Sequence, residues 1–137
     1  MKSLLGLPLG LLISVTVAAQ EAPCILKVYA NSTLELHSGL EDLYGLERQA
    51  GNAYATFTCI NPKTLQSHDL SSATLRVKSA GQEQQPVLKT WLDVNRYYLV
   101  TSFAYESAEP LMIDFRATEV VDGSKVEFSK EYTFFDR

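Results

Sequence analysis

Cysteine, histidine and tryptophan are scarce in this 137-residue sequence, which has two cysteines, two histidines and one tryptophan. Cys24 and Cys59 stand too far apart for a C-x-x-C redox or metal pair, and protein-bound divalent metals usually take three or more side-chain ligands. No metal or cofactor site is therefore expected. Positive charge is short as well, with 12 Lys and Arg against 16 Asp and Glu. That balance argues against a nucleic-acid partner, whose phosphates are held largely by Lys and Arg. Beyond Val17 no stretch is apolar enough for a membrane pass, no internal repeat is visible, and the chain ends in Asp136-Arg137 without a retention signal.

What is present begins at the amino terminus. Lys2 precedes an uncharged run from Leu4 to Val17, after which Ala18 and Ala19 place small residues ahead of the polar Gln20 and Glu21. This is the pattern of a signal peptide over residues 1–19, with cleavage expected after Ala19. A membrane anchor is the competing reading, disfavoured because the run falls short of the ~20 residues a spanning helix needs and contains Pro8. Lipidation at Cys24 would want a small residue before it, where Pro23 stands. Loss of the leader leaves 118 residues, the size of one domain over 20–137, with 11 basic and 16 acidic side chains. The expected location is exported (extracellular, periplasmic or the secretory-pathway lumen), with no membrane association after cleavage. In an oxidising compartment Cys24 and Cys59 are expected to form one disulfide.

After Asn52 the apolar residues recur with period two, the mark of half-buried strands. Ala53, Ala55, Phe57 and Cys59 share one face, with Tyr54, Thr56 and Thr58 on the other; Ala73, Leu75 and Val77 alternate with Thr74, Arg76 and Lys78. Gly81 to Gln85 reads as a polar loop, Pro86 as the first residue of a strand to Leu92, and Asp93 to Asn95 as a tight turn. Tyr97 to Tyr105 alternates with apolar residues on both faces, which predicts a central strand. Asp122-Gly123 between two alternating runs predicts a two-residue hairpin turn with Val121 opposite Ser124. That register sets Ala117 against Phe128, Ile113 against Tyr132 and Leu111 against Phe134. Upstream, Ile25 to Ala30 and Thr33 to His37 read as short strands. Ser38 and Glu41 then resemble a capping box ahead of Leu40, Leu43 and Leu46, with Gly51 as a stop, which gives either a short helix near residues 39–50 or an irregular excursion.

Seven to eight strands with short antiparallel connections predict an all-β chain, an antiparallel two-sheet β-sandwich that is immunoglobulin-like in general architecture. A small up-and-down β-barrel is the alternative. Trp91 follows both cysteines, so the antibody-type Cys, Trp, Cys order is absent.

No catalytic residue is expected. His68 and Asp69, in a segment with Ser67, Ser71 and Ser72, are the grouping from which a hydrolase could draw, but such residues are also ordinary turn formers. Glu35 and His37 share a face of a predicted strand and supply too few ligands for a metal. Both histidines read as solvated surface residues. Trp91, Tyr97, Tyr98 and Tyr105 are the candidate interaction surface, since tyrosine and tryptophan bury much area for little entropy loss. Of the adjacent Tyr97 and Tyr98, at most one can point into the core. Asn31-Ser32-Thr33 fits the N-glycosylation acceptor pattern, which would make Asn31 part of an exposed turn. The function expected is an exported, non-enzymatic binding or accessory module with a protein partner. Two alternatives remain: a β-barrel carrier with an apolar pocket of several hundred Å³, and a hydrolase using His68.

Overall fold

In a computed structural model the described residues are 24–136, so the leader and its expected cleavage site lie outside them. The period-two segments form two antiparallel sheets with no closed barrel: β1 (Ile25–Ser32), β2 (Asn52–Ile60), β3 (Ser67–His68), β4 (Leu70–Ser79), β5 (Gln82–Gln84), β6 (Lys89–Asp93), β7 (Arg96–Ala104), β8 (Pro110–Glu119) and β9 (Lys125–Thr133). The first sheet has the order β1-β2-β7-β6, with β3 beside the end of β2, and the second has the order β5-β4-β8-β9. The architecture is the expected sandwich. Two strands, β3 and β5, are too short to show a period, which is why periodicity alone counts seven or eight.

The inward set read from the sequence is the core. Ala53, Ala55, Phe57 and Cys59 from the first sheet meet Leu75, Val77, Leu111, Ile113 and Phe115 from the second, all buried. At the centre the rings of Phe57 and Phe115 stack, centroids 4.2 Å apart and 8° from parallel. Burying side chains of this size contributes about 1.5–3 kcal/mol each. The space between the sheets is thus filled by interdigitated side chains, as in a sandwich. β7 lies between β2 and β6, an interior strand as expected. Cys24 and Cys59 are disulfide-bonded, tying the residue before β1 to the end of β2.

Five local expectations are corrected. Gly81 to Gln85, expected as a polar loop, contains strand β5, paired with the end of β4. In the last hairpin the ladder closes at Thr118 opposite Lys125, with Ala117 facing Val126, Ile113 facing Lys130 and Leu111 facing Tyr132. The register is therefore two residues from the one that an Asp122-Gly123 turn dictates. The cause is Glu119, whose carboxylate accepts the N–H groups of Val121 (2.7 Å) and Asp122 (3.1 Å) and so organises a longer loop. A shift of two keeps every side chain on its face, which is why the core assignment survives. In the same loop the Ser124 side chain and backbone N–H hold the Asp122 carboxyl at about 2.

At the other end of the chain β1 continues through Ser32, and Thr33–Glu35 is a single 3-10 turn rather than a second strand. Ser32 Oγ accepts from Leu34 N at 3.2 Å and caps that turn. The helical segment is α1 (Leu40–Tyr44), five residues long; its N-cap is Gly39, with no side-chain cap bond, and it stops at Gly45, not Gly51. Gly45 takes the left-handed conformation, φ 68°, that terminates a helix at little steric expense. Finally, the sixth strand begins at Lys89 rather than Pro86.

Candidate functional site

Alternation along the strands puts Tyr29 of β1, Tyr54 of β2, Trp91 of β6 and Tyr98 of β7 on the outer face of the first sheet, away from Phe57 and Phe103. Trp91 and Tyr98 are direct cross-strand partners because the β6–β7 turn pairs Asp93 with Arg96 and counts back from there. Tyr44, the last residue of α1, brings a fifth ring onto this face. It meets Trp91 edge-on, centroids 5.0 Å apart at 88°, and Tyr54 at 6.2 Å. Trp91 lies 5.3 Å from Tyr98, and Tyr29 lies 5.8 Å from Tyr54. The five rings form one continuous strip across all four long strands of the sheet. Edge-to-face and tilted aromatic pairs at such distances add about 0.5–1.5 kcal/mol each beyond area burial.

The strip is layered. Tyr54 is buried beneath Tyr29 and Tyr44, whereas Tyr29 is 52% exposed and Trp91, Tyr98 and Tyr44 are half-buried. Its base is therefore fixed and its upper rings are available. Beside Tyr44 runs a groove of about 190 Å³, lined by Leu46, Val87, Lys89 and Val100 among others. Beyond Tyr98, at the β6–β7 turn, lies an open depression of about 460 Å³ bounded by Leu65, Gln66, Asp93, Val94 and Arg96.

Burial raises the pKa of Tyr54 well above the ordinary phenol value, with the Tyr29 hydroxyl adding to the effect; burial also raises Tyr44, reinforced by Tyr98 and Asp93. These rings stay neutral hydrogen-bonding groups. Burial raises Tyr105 and Tyr132 too. Four of the seven tyrosines should thus ionise late in the native protein and at the ordinary value in urea. Because the folded state holds these protons more tightly, their contribution to stability is intact below about pH 10 and is lost as pH rises beyond it. A spectrophotometric phenolate titration of native and urea-unfolded protein checks this; superimposable curves would refute it.

No protein family and no curated protein matches the chain. Among solved structures it is similar to the crystal structure of a DUF4426 family protein from Pseudomonas aeruginosa PAO1, with a TM-score of 0.64 and 14% identity over 82% of this chain and 89% of that one. The likeness is one of fold.

Of the predicted surface residues, the structure brings Trp91 and Tyr98 together and separates the other two. Tyr97 alternates to the opposite side of β7, and only its backbone carbonyl meets the strip side, accepting from Thr58 Oγ1 at 2.7 Å. Tyr105 is not at the surface. It belongs to the buried core, its hydroxyl bonded to Ser32 Oγ (2.8 Å) and donating to Asp136 Oδ1 (2.5 Å), which latches the chain end against Gly51. Tyr29, Tyr44 and Tyr54 were missed. Tyr54 shares strand parity with Thr56 and Thr58, a signal that did place it outside the core set; no sequence signal brings Tyr44 to it. Asn31 sits within edge strand β1, half-buried and paired with Tyr54, rather than in an exposed turn, and the Ser32 and Thr33 of its acceptor pattern are buried.

His68 is likewise not a plain surface residue. Its Nδ1 lies 3.1 Å from Oε1 of the fully buried Glu119, off the line of a good hydrogen bond, and its side chain is only 18% exposed. The neighbouring hydroxyls are committed to backbone: Ser67 Oγ donates to Asn95 O and accepts from Tyr97 N, and Ser71 Oγ donates to Thr118 O. Glu35 is in the 3-10 turn and His37 follows it in a loop, so they do not share a strand face. Among the described residues no three His, Cys, Asp or Glu gather at metal-binding distance.

Proposed function

We propose that the protein is an exported, non-enzymatic binding module that grips a protein partner through the aromatic strip of its first sheet, next to the edge of β6. The observation that carries this reading is the contact of Trp91 with both Tyr44 and Tyr98 on an edge strand. Protein interfaces are enriched in such rings at their centre and ringed by polar groups, here Lys89, Asp93 and Asn31. No strand pairs with the far side of β6 among the described residues. An extended partner segment laid along that edge would take main-chain hydrogen bonds from β6 and set alternate side chains over Trp91 and Tyr98. The other sheet's edge strand, β9, suits this less, because Lys130 occupies a core-facing register position and is exposed. The engagement of Ser67 and Ser71 with backbone supports a non-enzymatic reading over a His68 hydrolase.

The test is cross-linking and capture from the native export compartment, with wild type compared against Tyr29→Ser and Trp91→Ala. A partner that the wild type retains and each variant loses by at least about tenfold, the scale of an interface anchor, supports the reading. Equal recovery by all three, with each variant showing wild-type circular dichroism, overturns it. Trp91 is the sole tryptophan, so its emission should also shift on binding.

A further inference from the structure

The end of the sandwich where the chain enters at Cys24 is unusually apolar. Ile25 heads β1, Leu65 lies in the β2–β3 loop, Leu92 and Val94 flank the β6–β7 turn, and Val120 and Val121 open the β8–β9 loop; all six are exposed. The three loops are one surface. Leu65 and Val94 line the same depression, Ser67 Oγ donates to Asn95 O at 3.2 Å, and Val120 N donates to Asp69 O at 3.0 Å. Leu65 and Val94 are also held at φ 61° and 50°, the left-handed region that disfavours large and especially β-branched side chains. Glycine or asparagine would fit either position with less strain. Val94 is 81% exposed and Leu65 62%, so neither side chain recovers that strain by packing within the protein. Strained backbone that presents apolar groups to solvent points to a use outside the fold.

We propose that this end is a membrane-contacting surface whose loop tips, Leu65, Val94 and Val120-Val121, enter the interfacial layer of a lipid bilayer. The identity of the occupant follows from the chain itself. Cys24 is fixed to Cys59 at this end, and only residues 18–23 separate it from the uncharged run Leu4–Val17. Fully extended, that connection spans about 25 Å. Whenever the run lies in a membrane, during export or afterwards, this end faces the bilayer. The exposed charged side chains around the loops balance, Lys63, Arg96 and Lys125 against Asp69, Asp93 and Asp122, with Glu119 buried, so contact is driven by apolar insertion rather than by attraction to anionic lipid. The proposal revises the expectation of no membrane contact and does not rest on the aromatic strip, although Tyr98 and Asp93 border both surfaces.

Amide hydrogen exchange of the full exported chain, with and without phosphatidylethanolamine–phosphatidylglycerol vesicles, tests it whether or not the leader is retained. Vesicles are expected to slow exchange severalfold in the loops 61–66, 93–96 and 119–122, at low and high salt alike. The combined variant Leu65→Ser, Val94→Asn, Val121→Ser should lose that protection, while Met112→Ser on the far face keeps it. Val94→Asn alone should raise the melting temperature as it weakens the protection, which separates lost contact from unfolding. Absence of protection, its persistence in the combined variant, or its disappearance at high salt would overturn the proposal. So would the same protection arising without vesicles as protein concentration rises, the sign of a second copy.

Discussion

Glu119→Ala is expected to lower the unfolding free energy by about 2 kcal/mol, since it removes the shared acceptor of two part-buried backbone donors and the buried acid beside His68. Glu119 is fully buried, and its carboxylate satisfies two backbone N–H groups of the β8–β9 loop while lying 3.1 Å from His68 Nδ1. His68 belongs to the first sheet and Glu119 to the second, so the contact spans the point at which the chain crosses between sheets at Asp69. Alanine would leave the Val121 and Asp122 amides without their acceptor and open space beside the imidazole. Water reaching the loop moderates the loss, which keeps the figure at the low end of a sum over the two donors. Glu119→Gln, which retains one acceptor oxygen, should lose less. His68→Ala should lose less again, because both amide donors remain with the carboxylate. A cycle of the two alanine variants should show coupling, the double variant losing less than the sum. Urea unfolding followed by Trp91 emission measures all of this. A midpoint shift at unchanged slope is the expected form, and a loss for Glu119→Ala of under about 1 kcal/mol would show that the carboxylate does not organise the loop.

The same residue marks the limit of what the sequence discloses. Inward and outward faces were legible in β2, in β4 from Ala73 onward and in β8, because an alternating strand writes its period directly into the chain; β7, apolar on both faces, showed that it is interior without showing which face is inner. Register was not, because Glu119 reads as one more surface acid until a histidine fifty-one residues earlier is brought to it. Trp91 and Tyr98 could be grouped because a short turn sets their strands side by side and local counting pairs them. Tyr105 could not be excluded from that group. Its burial depends on Ser32 and Asp136, remote in sequence on either side. Tyr44 arrives from a five-residue helix whose expected cap and stop, Ser38 and Gly51, are replaced by Gly39 and Gly45. Contacts made within a hairpin were readable; contacts made between separately folded elements were not, and the aromatic strip is built from both kinds.

Removing the disulfide is the other large effect expected. Cys24→Ala with Cys59→Ala should cost roughly 3 to 4 kcal/mol, the chain-entropy value for a bridge between residues 35 apart in sequence. On a domain of this size that corresponds to a fall in melting temperature of roughly 12 to 16 °C. The loss should not be spread evenly. β1 is an edge strand, paired only with β2, and Cys24 is the residue immediately before it. Without the bridge its first residues are held by ladder hydrogen bonds alone, on a strand that gains little from packing at its exposed Ile25 end. Fraying should therefore begin at Ile25 and travel towards Tyr29, reaching the aromatic strip before the core of β2 and β7 opens. Hydrogen exchange in the double variant should show β1 amides losing protection first, with β8 amides protected until global unfolding. Alkylation of the wild-type exported protein under non-reducing conditions, read by intact mass, should find no free thiol. Two alkylated cysteines there, or a double variant as stable as wild type, would show that β1 is held by its ladder and not by the bond to Cys59.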